Sequence, residues 1–183
     1  MPNYRRNRQP GGTYFFTIVT NDRAPIFNHP EARLILRKVW KHVALSCPFT
    51  IDAICLLPDH LHCILTLPEG DADYSFRLKR IKMIFGKEYQ SKFGKSTVLK
   101  KSHIQRKEYA IWQRRFWEHT IRDEDDYQNH FDYLHYNPVK HGYVERVRDW
   151  QWSSFHRYVQ QGVYSIHWGD LTEARFNGID FGE

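Results

Sequence analysis

The sequence predicts an α+β fold of the split βαβ (ferredoxin-like) type, an antiparallel sheet with helices on one face and a helical C-terminal tail. Stretches rich in β-branched and aromatic residues alternate with amphipathic stretches in the order β-α-β-β-α-β-α. The chain has 183 residues without an internal repeat or a linker-like stretch. We therefore expect a single domain over 1–183, with a basic arm at 1–10, a core at 11–140 and a tail at 141–183.

The first half of the core is expected to contain three strands and one helix. GGTYFFTIVT (11–20) is β-branched and aromatic, and PEARLILRKVWKHVALSC (30–47) has a helical pattern with proline at its start. FTIDAICLLP (49–58) and HLHCILTLP (60–68) have the composition of two strands, joined by the turn-forming Pro58 and Asp59.

The second half of the core is expected to contain two helices and one strand, and the tail is expected to contain a further helix. DADYSFRLKRIKMIFGKEYQSKF (71–93) predicts a capped helix, and GKSTVLKKSHIQRKE (94–108) predicts a charged surface loop. RRFWEHTIR (114–122) predicts a strand, and RDEDDYQNHFDYLHYNPVKHG (122–142) predicts a helix that stops at Asn137 and Pro138. WSSFHRYVQQG (152–162) predicts the helix of the tail.

The composition favours a polyanionic partner. The chain carries 27 Lys and Arg against 21 Asp and Glu, a net charge of +6 with a pI near 9.2, and 16% of its residues are aromatic. Basic and aromatic side chains together suit single-stranded nucleic acid, although aromatic residues also fill cores. Three cysteines without CxxC spacing argue against a zinc knuckle or a secreted disulfide framework. Without a signal peptide or an apolar span, a cytoplasmic protein is expected.

Two histidines in the third predicted strand point to a metal site. His60 and His62 stand two residues apart, so that both imidazoles face one side of the sheet while Leu61 and Cys63 face the other. Two imidazoles on one face can converge on one ion. An isolated pair of this kind more often lies on the solvated face of a half-buried strand, and a metal site needs a third ligand from another element.

The last core helix offers a phenol and an amide at matching positions. Tyr133 and Asn137 are four residues apart, on the same helix face about one turn from each other. Tyr127 and Tyr136 are neighbouring tyrosines, but Tyr136 projects about 100° away from Asn137. Taken alone, these residues could be packing aromatics and a helix end. Together with two imidazoles, they suffice to cut a phosphodiester with a divalent metal and a covalent tyrosine.

Four sequence blocks carry a family resemblance. GGTYFFTIVT, LPDHLHCILTLPEGD, WQRRFWEHTIRDEDDY and DYLHYNPVKHG, in that order, resemble the REP-associated tyrosine transposases of the single-tyrosine HUH, IS200-like superfamily. These relatives act on repetitive extragenic palindromes in bacterial chromosomes. The resemblance extends from about Gly11 to about Tyr158, and implies a bacterial, nucleoid-associated enzyme.

The resemblance implies a role for each of these residues. His60, His62 and Asn137 are expected to hold a divalent metal, Mg²⁺ or Mn²⁺, and Tyr133 is expected to be the catalytic nucleophile. The implied reaction is cleavage and strand transfer of single-stranded DNA at palindromic hairpins through a 5′-phosphotyrosine. Many mobile relatives have glutamine where this chain has Asn137. The side chain of asparagine is shorter, so this chain departs from the family pattern in how the metal would be held.

DNA contacts are expected from the basic residues and from a glycine pair that allows backbone to approach bases. The expected DNA-binding residues are Arg5, Arg6, Arg8, Gly11, Gly12, Arg77, Arg80 and Lys82. A monomer is expected rather than a dimer. Two other functions stay open: a non-catalytic single-stranded nucleic-acid-binding protein of the same fold, and a metal-dependent hydrolase that makes no covalent intermediate.

Overall fold

The protein folds around a four-stranded antiparallel sheet. A computed structural model describes residues 7–94 and 111–170. The sheet has the strand order β2-β3-β1-β4. The strands and helices of the described residues are, in chain order, β1 (Thr13–Val19), α1 (Pro30–Ser46), β2 (Thr50–Leu56), β3 (His60–Thr66), α2 (Tyr74–Phe93), β4 (Trp117–Thr120), α3 (Glu124–Lys140) and α4 (Phe155–Gln160). Short 3₁₀ turns lie at Asn21–Arg23, Ile26–Asn28 and Val147–Asp149.

Strand β3 is central to the arrangement, because it pairs with β2 on one side and with β1 on the other. In the ladder with β1, His60 lies opposite Val19 and His62 lies opposite Thr17. The first six residues of β3 are all buried. A strand buried on both faces requires a packing layer on each side of the sheet.

Helices α1 and α2 form the layer on one face. Leu61 and Cys63 from β3 pack there with Phe16 from β1, Val39 from α1 and Leu78 from α2. This face contains most of the apolar core, and it is the helical layer that a split βαβ fold predicts. The predicted fold class is confirmed.

Helices α3 and α4 cover the opposite face, which corrects the expectation that all core helices lie on one side. Phe15 from β1 and Ile64 from β3 pack there against Phe131 and Leu134 of α3, and Phe155 of α4 joins them. The physical reason is the alternation of the strands, since every second residue of β1 and β3 is also buried and needs a partner layer. His60 and His62 belong to this second face.

Helix α3 also corrects the predicted stop at Asn137. The helix continues through Pro138 and ends at Lys140. Proline removes one backbone N–H, and here this happens in the last turn, where the amide of His141 still donates to the Asn137 carbonyl at 3.0 Å. Asn137 is therefore inside the helix, one turn after Tyr133.

Other expectations agree with the structure in part. The predicted fourth strand shortens to the four residues of β4. The predicted surface loop lies outside the described residues from residue 95 onward. Cys47, Cys55 and Cys63 are free thiols, two of them buried. None of the helices in the two described ranges is long and apolar enough to cross a membrane.

Candidate active site

His60 and His62 form a buried pair on β3. Both residues are 0% exposed. Their ring centroids are 5.0 Å apart with an interplanar angle of 86°. The sequence prediction that the two rings share one face of the sheet is confirmed, and the pair lies between the sheet and α3.

Each of the two rings is held at its Nδ1 atom. A carboxylate oxygen of Asp59 lies 2.6 Å from Nδ1 of His60, and the hydroxyl of Thr17 lies 3.0 Å from Nδ1 of His62. With Nδ1 engaged on both rings, Nε2 is the ring nitrogen that would ligate a cation. A carboxylate or hydroxyl behind each imidazole is the usual support for a metal-ligating histidine.

Asp59 is itself fixed by the turn that follows β1. Arg23 donates to its second carboxylate oxygen at 3.2 Å, and both the amide and the hydroxyl of Thr20 donate to its carbonyl at 2.8 Å. Asp22 and Arg23 adopt positive φ angles of 53° and 49°, a strained conformation for residues other than glycine. Burial alone would raise the pKa of Asp59, but the hydrogen bonds and charges of His60 and Arg23 outweigh it and lower the pKa.

Helix α3 runs along the two histidines. The Tyr133 ring lies 5.6 Å from the His62 ring, and the His141 ring, two turns further on, lies 5.2 Å from the His60 ring. Asn137 stands midway between Tyr133 and His141 in the sequence and is fully buried. Helical spacing places it on the same stripe of α3 as the two ring contacts.

Lys140 also reaches the nucleophile candidate. Its ammonium donates to the phenolic oxygen of Tyr133 at 2.8 Å and lies 4.8 Å from the centre of the same ring. Tyr133 itself is 1% exposed. The hydroxyl of Tyr133 therefore accepts a charged hydrogen bond from its own helix.

The two neighbouring tyrosines lie in other surroundings. Tyr127 stacks on Phe131 with ring centroids 5.6 Å apart, and burial, with a contribution from the Asp52 carboxylate, raises the pKa of Tyr127. The ring of Tyr136 packs against Trp168 in the C-terminal segment at 6.5 Å. The ring of Tyr133, by contrast, contacts His62.

A second cluster of histidine and aspartate lies further along the same face. In the described residues, one potential ligand atom each from His119, Asp126 and His130 lies within 4.8 Å of the others, a spacing that could hold a metal ion. The rings of His119 and His130 stack with centroids 4.4 Å apart. Phe15 separates this cluster from the histidine pair, since its ring lies 4.9 Å from His130 and 5.4 Å from His62.

Hydrogen bonds already saturate much of this second cluster. The same oxygen of Asp126 lies 2.8 Å from Nε2 of His119 and accepts from both the amide and the Nε of Arg122 at 3.0 Å. Burial would raise the pKa of Asp126, but hydrogen bonds from Arg122 and His119 hold it at about 2. A cation at this oxygen of Asp126 would have to displace the Arg122 guanidinium. The cluster fits a clamp between β4 and α3 better than it fits a metal site.

The predicted glycine pair has a local structural reason. Gly11 has a φ angle of 67°, which favours glycine. A Cβ at Gly12 would lie 2.8 Å from the Gln9 carbonyl oxygen, so that only glycine fits. Both glycines line an open cavity of about 310 Å³ together with Arg122 and Tyr127. Arg8 is exposed nearby in sequence, whereas Arg5 and Arg6 lie outside the described residues.

The three residues of α2 that were predicted to contact DNA lie on the other side of the sheet from α3. One of them, Arg77, is not a surface residue. Arg77 is 4% exposed, and its guanidinium donates to the Pro48 carbonyl and to the Asp71 carboxylate. This burial argues against a DNA contact from Arg77, because tertiary contacts take up its donors. Lys82 donates to the Gln113 carbonyl at 2.9 Å, and Arg80 lies 5.7 Å from the ring of Phe76.

Several site residues escape prediction from the sequence. In the sequence, Asp59 is typical of a turn and Thr17 is typical of a strand. Lys140 is typical of the C-terminal end of a helix. Asp59 carried one usable signal, since it directly precedes His60. The contacts of Thr17 and Lys140 depend on strand register and on side-chain direction.

Comparison with known proteins finds related sequences and structures over most of the chain. The family model described as IS200-like transposase matches residues 10–137. A Haemophilus influenzae protein provisionally named as a REP-associated tyrosine transposase is 43% identical over 178 residues, 97% of this chain and 99% of that protein. The REP-associated tyrosine transposase of Escherichia coli is 42% identical over 174 residues, with 94% of each chain covered. The solved structure of a REP-associated tyrosine transposase bound to a REP hairpin matches with a TM-score of 0.76, at 42% identity and 95% coverage of each chain. The resemblance carried by the sequence motifs is thereby confirmed.

Proposed function

This chain belongs to the IS200-like transposase family and is a transposase enzyme, and we propose that it cuts and rejoins single-stranded DNA at REP-type palindromic hairpins through a covalent bond to Tyr133. The observation that carries the proposal is the contact of the Tyr133 ring with His62, at 5.6 Å, beside the paired His60. A relative that matches over 95% of both chains is bound to a REP hairpin, which supports the same class of DNA for this chain.

The histidine pair and the neighbouring amide fit a divalent cation. Two imidazoles held at Nδ1 and a buried amide provide the nitrogen and oxygen donors that Mn²⁺ or Mg²⁺ accepts. His60, His62 and Asn137 would hold the cation. When bound, it supplies Lewis acidity at the scissile phosphate.

Tyr133 performs the nucleophilic step in this proposal. Its phenolic oxygen forms a bond to the phosphorus as the bond from phosphorus to the 3′ oxygen breaks. The phenol proton goes to water, and the departing 3′ oxygen takes up a proton from water. The 5′-phosphotyrosine keeps the phosphate activated, so that attack by a 3′-hydroxyl rejoins the strands without a nucleotide cofactor.

Binding of the DNA is assigned to the basic surface. The excess of six positive charges suits a polyanion, and exposed Arg8 beside the glycine pair is a candidate for contact with a single-stranded segment. Arg80 and Lys82 lie on the layer opposite Tyr133, where they would contact DNA away from the cleaved bond. Because the chain is a transposase, the alternative of a non-catalytic binding protein is set aside.

Histidine substitutions test the site. His60→Ala and His62→Ala should abolish cleavage of a hairpin oligonucleotide in Mn²⁺, because each removes one ligand, while leaving the affinity for DNA largely intact. His42→Ala is the matched control, since His42 is an exposed histidine on α1. Full cleavage by His62→Ala with Mn²⁺ present would refute the assignment.

A further inference from the structure

The ammonium of Lys140 is placed on the atom that would react. Lys140 and Tyr133 are seven residues apart on α3, about two turns, which returns them to nearly the same face. Helical side chains lean toward the N-terminus, so that the stem of Lys140 extends back toward Tyr133. The resulting distance of 2.8 Å from Nζ to the phenolic oxygen is that of a charge-assisted hydrogen bond.

The direction of this hydrogen bond is fixed by chemistry. A lysine ammonium has three donors and no acceptor, so that the oxygen of Tyr133 accepts. A positive donor at this oxygen stabilises negative charge on it more than it stabilises the neutral phenol. Lysine in the last turn of a helix is ordinarily explained by the helix dipole. That explanation does not account for an ammonium group that reaches back about two turns to a tyrosine that is 1% exposed.

We propose that Lys140 is a second catalytic residue, which holds the phenolic oxygen of Tyr133 and stabilises the negative charge that this oxygen carries in the transition state. The inference rests on the proposed function, because it requires Tyr133 to be the nucleophile. Lys140 keeps its proton in this scheme. The phenol proton goes to water, the oxygen–phosphorus bond forms, and the bonding electrons of the breaking bond leave with the 3′ oxygen.

The same contact acts in the rejoining reaction. When a 3′-hydroxyl attacks the phosphotyrosine, the oxygen of Tyr133 becomes the leaving group and regains negative charge. A group that stabilises this charge lowers the barrier in both directions. Loss of Lys140 should therefore slow both cleavage and rejoining.

Lysine variants test the inference with enzyme in excess over an end-labelled REP hairpin carrying single-stranded flanks. Lys140→Met should bind this DNA as the wild type does and cleave it about 10²-fold more slowly, the usual effect of removing one preorganised donor. Lys140→Arg should recover at least tenfold of that loss, because it restores a charged donor. Lys41→Met, which removes an exposed lysine on α1, should cleave at the wild-type rate.

The outcomes separate this inference from the proposed function. If wild-type protein forms no adduct at Tyr133, the proposed function fails. If the adduct forms and Lys140→Met cleaves as fast as wild type, the role of Lys140 alone is overturned. The role is also overturned if Lys140→Arg is as slow as Lys140→Met, if weaker DNA binding accounts for the loss, or if Lys140→Met slows cleavage but not rejoining.

Discussion

Acid should destabilise this fold through one buried histidine on α3. His135 of α3 is 0% exposed, its Nδ1 lies 2.9 Å from the Phe131 carbonyl, and its Nε2 lies 2.8 Å from the Ser154 hydroxyl. Burial, reinforced by the charge of Arg157, lowers the pKa of His135 to about 3, although the hydrogen bond to Phe131 acts in the opposite direction. The neutral ring therefore holds α3 against the segment that leads into α4.

The size of the effect follows from linkage between protonation and folding. The unfolded chain takes up a proton at His135 near pH 6.5, whereas the folded protein does so only near pH 3. Between these values the unfolded state binds more protons, so that the free energy of unfolding falls as the pH falls. Each pH unit costs about 1.4 kcal/mol, and the full interval is worth about 5 kcal/mol.

Urea denaturation at pH 7, 6, 5 and 4.5 measures this slope, with His135→Gln as the comparison. The variant should be less stable than wild type at pH 7, because it disturbs a buried site. Its deficit should then shrink by about 1.4 kcal/mol for each pH unit below about 6.5, since glutamine does not titrate. A deficit that stays constant from pH 7 to pH 4.5 would refute the explanation.

Two further predictions concern the metal support and the DNA surface. Asp59→Asn should raise the Mn²⁺ concentration needed for half-maximal cleavage about 10–100-fold, because the carboxylate no longer orients His60, whereas Asp149→Asn on the surface should not. An unchanged Mn²⁺ requirement would contradict the support role. Affinity for a hairpin with a single-stranded flank should fall about 10³-fold or more between about 50 and 200 mM salt if six or more phosphates are contacted. Binding that is insensitive to salt would argue against an electrostatic interface.

The strand carrying the histidines was the most predictable part of the site. Alternation along HLHCILT places His60 and His62 on one face and Leu61 and Cys63 on the other, as the structure has them. Sequence spacing also places Tyr133 and Asn137 one turn apart. The ligand and nucleophile roles of these residues stay predictions.

Contacts between distant segments were not predictable in the same way. The hydrogen bond between Thr17 and His62 depends on the register of two strands, since the two residues are 45 positions apart in the sequence. An arginine on a helix is usually exposed, but the fold brings the Pro48 carbonyl to the guanidinium of Arg77. The position of α3 on the second face was missed because polar residues within it, such as Asp132 and Asn137, are buried, which obscures its apolar pattern.

The central claim is that Tyr133 forms the covalent bond to DNA, and one denaturing gel tests it directly. Wild-type protein incubated with Mn²⁺ and an end-labelled hairpin should give a denaturant-resistant adduct and a free 3′-hydroxyl product. Tyr133→Phe loses only the hydroxyl and keeps the ring contact with His62, so that it should bind the same DNA and give neither product. Tyr127→Phe and Tyr136→Phe are the matched controls and should both give the adduct. An adduct formed by Tyr133→Phe, or DNA mapped by peptide analysis to Tyr127 or Tyr136, would contradict the account.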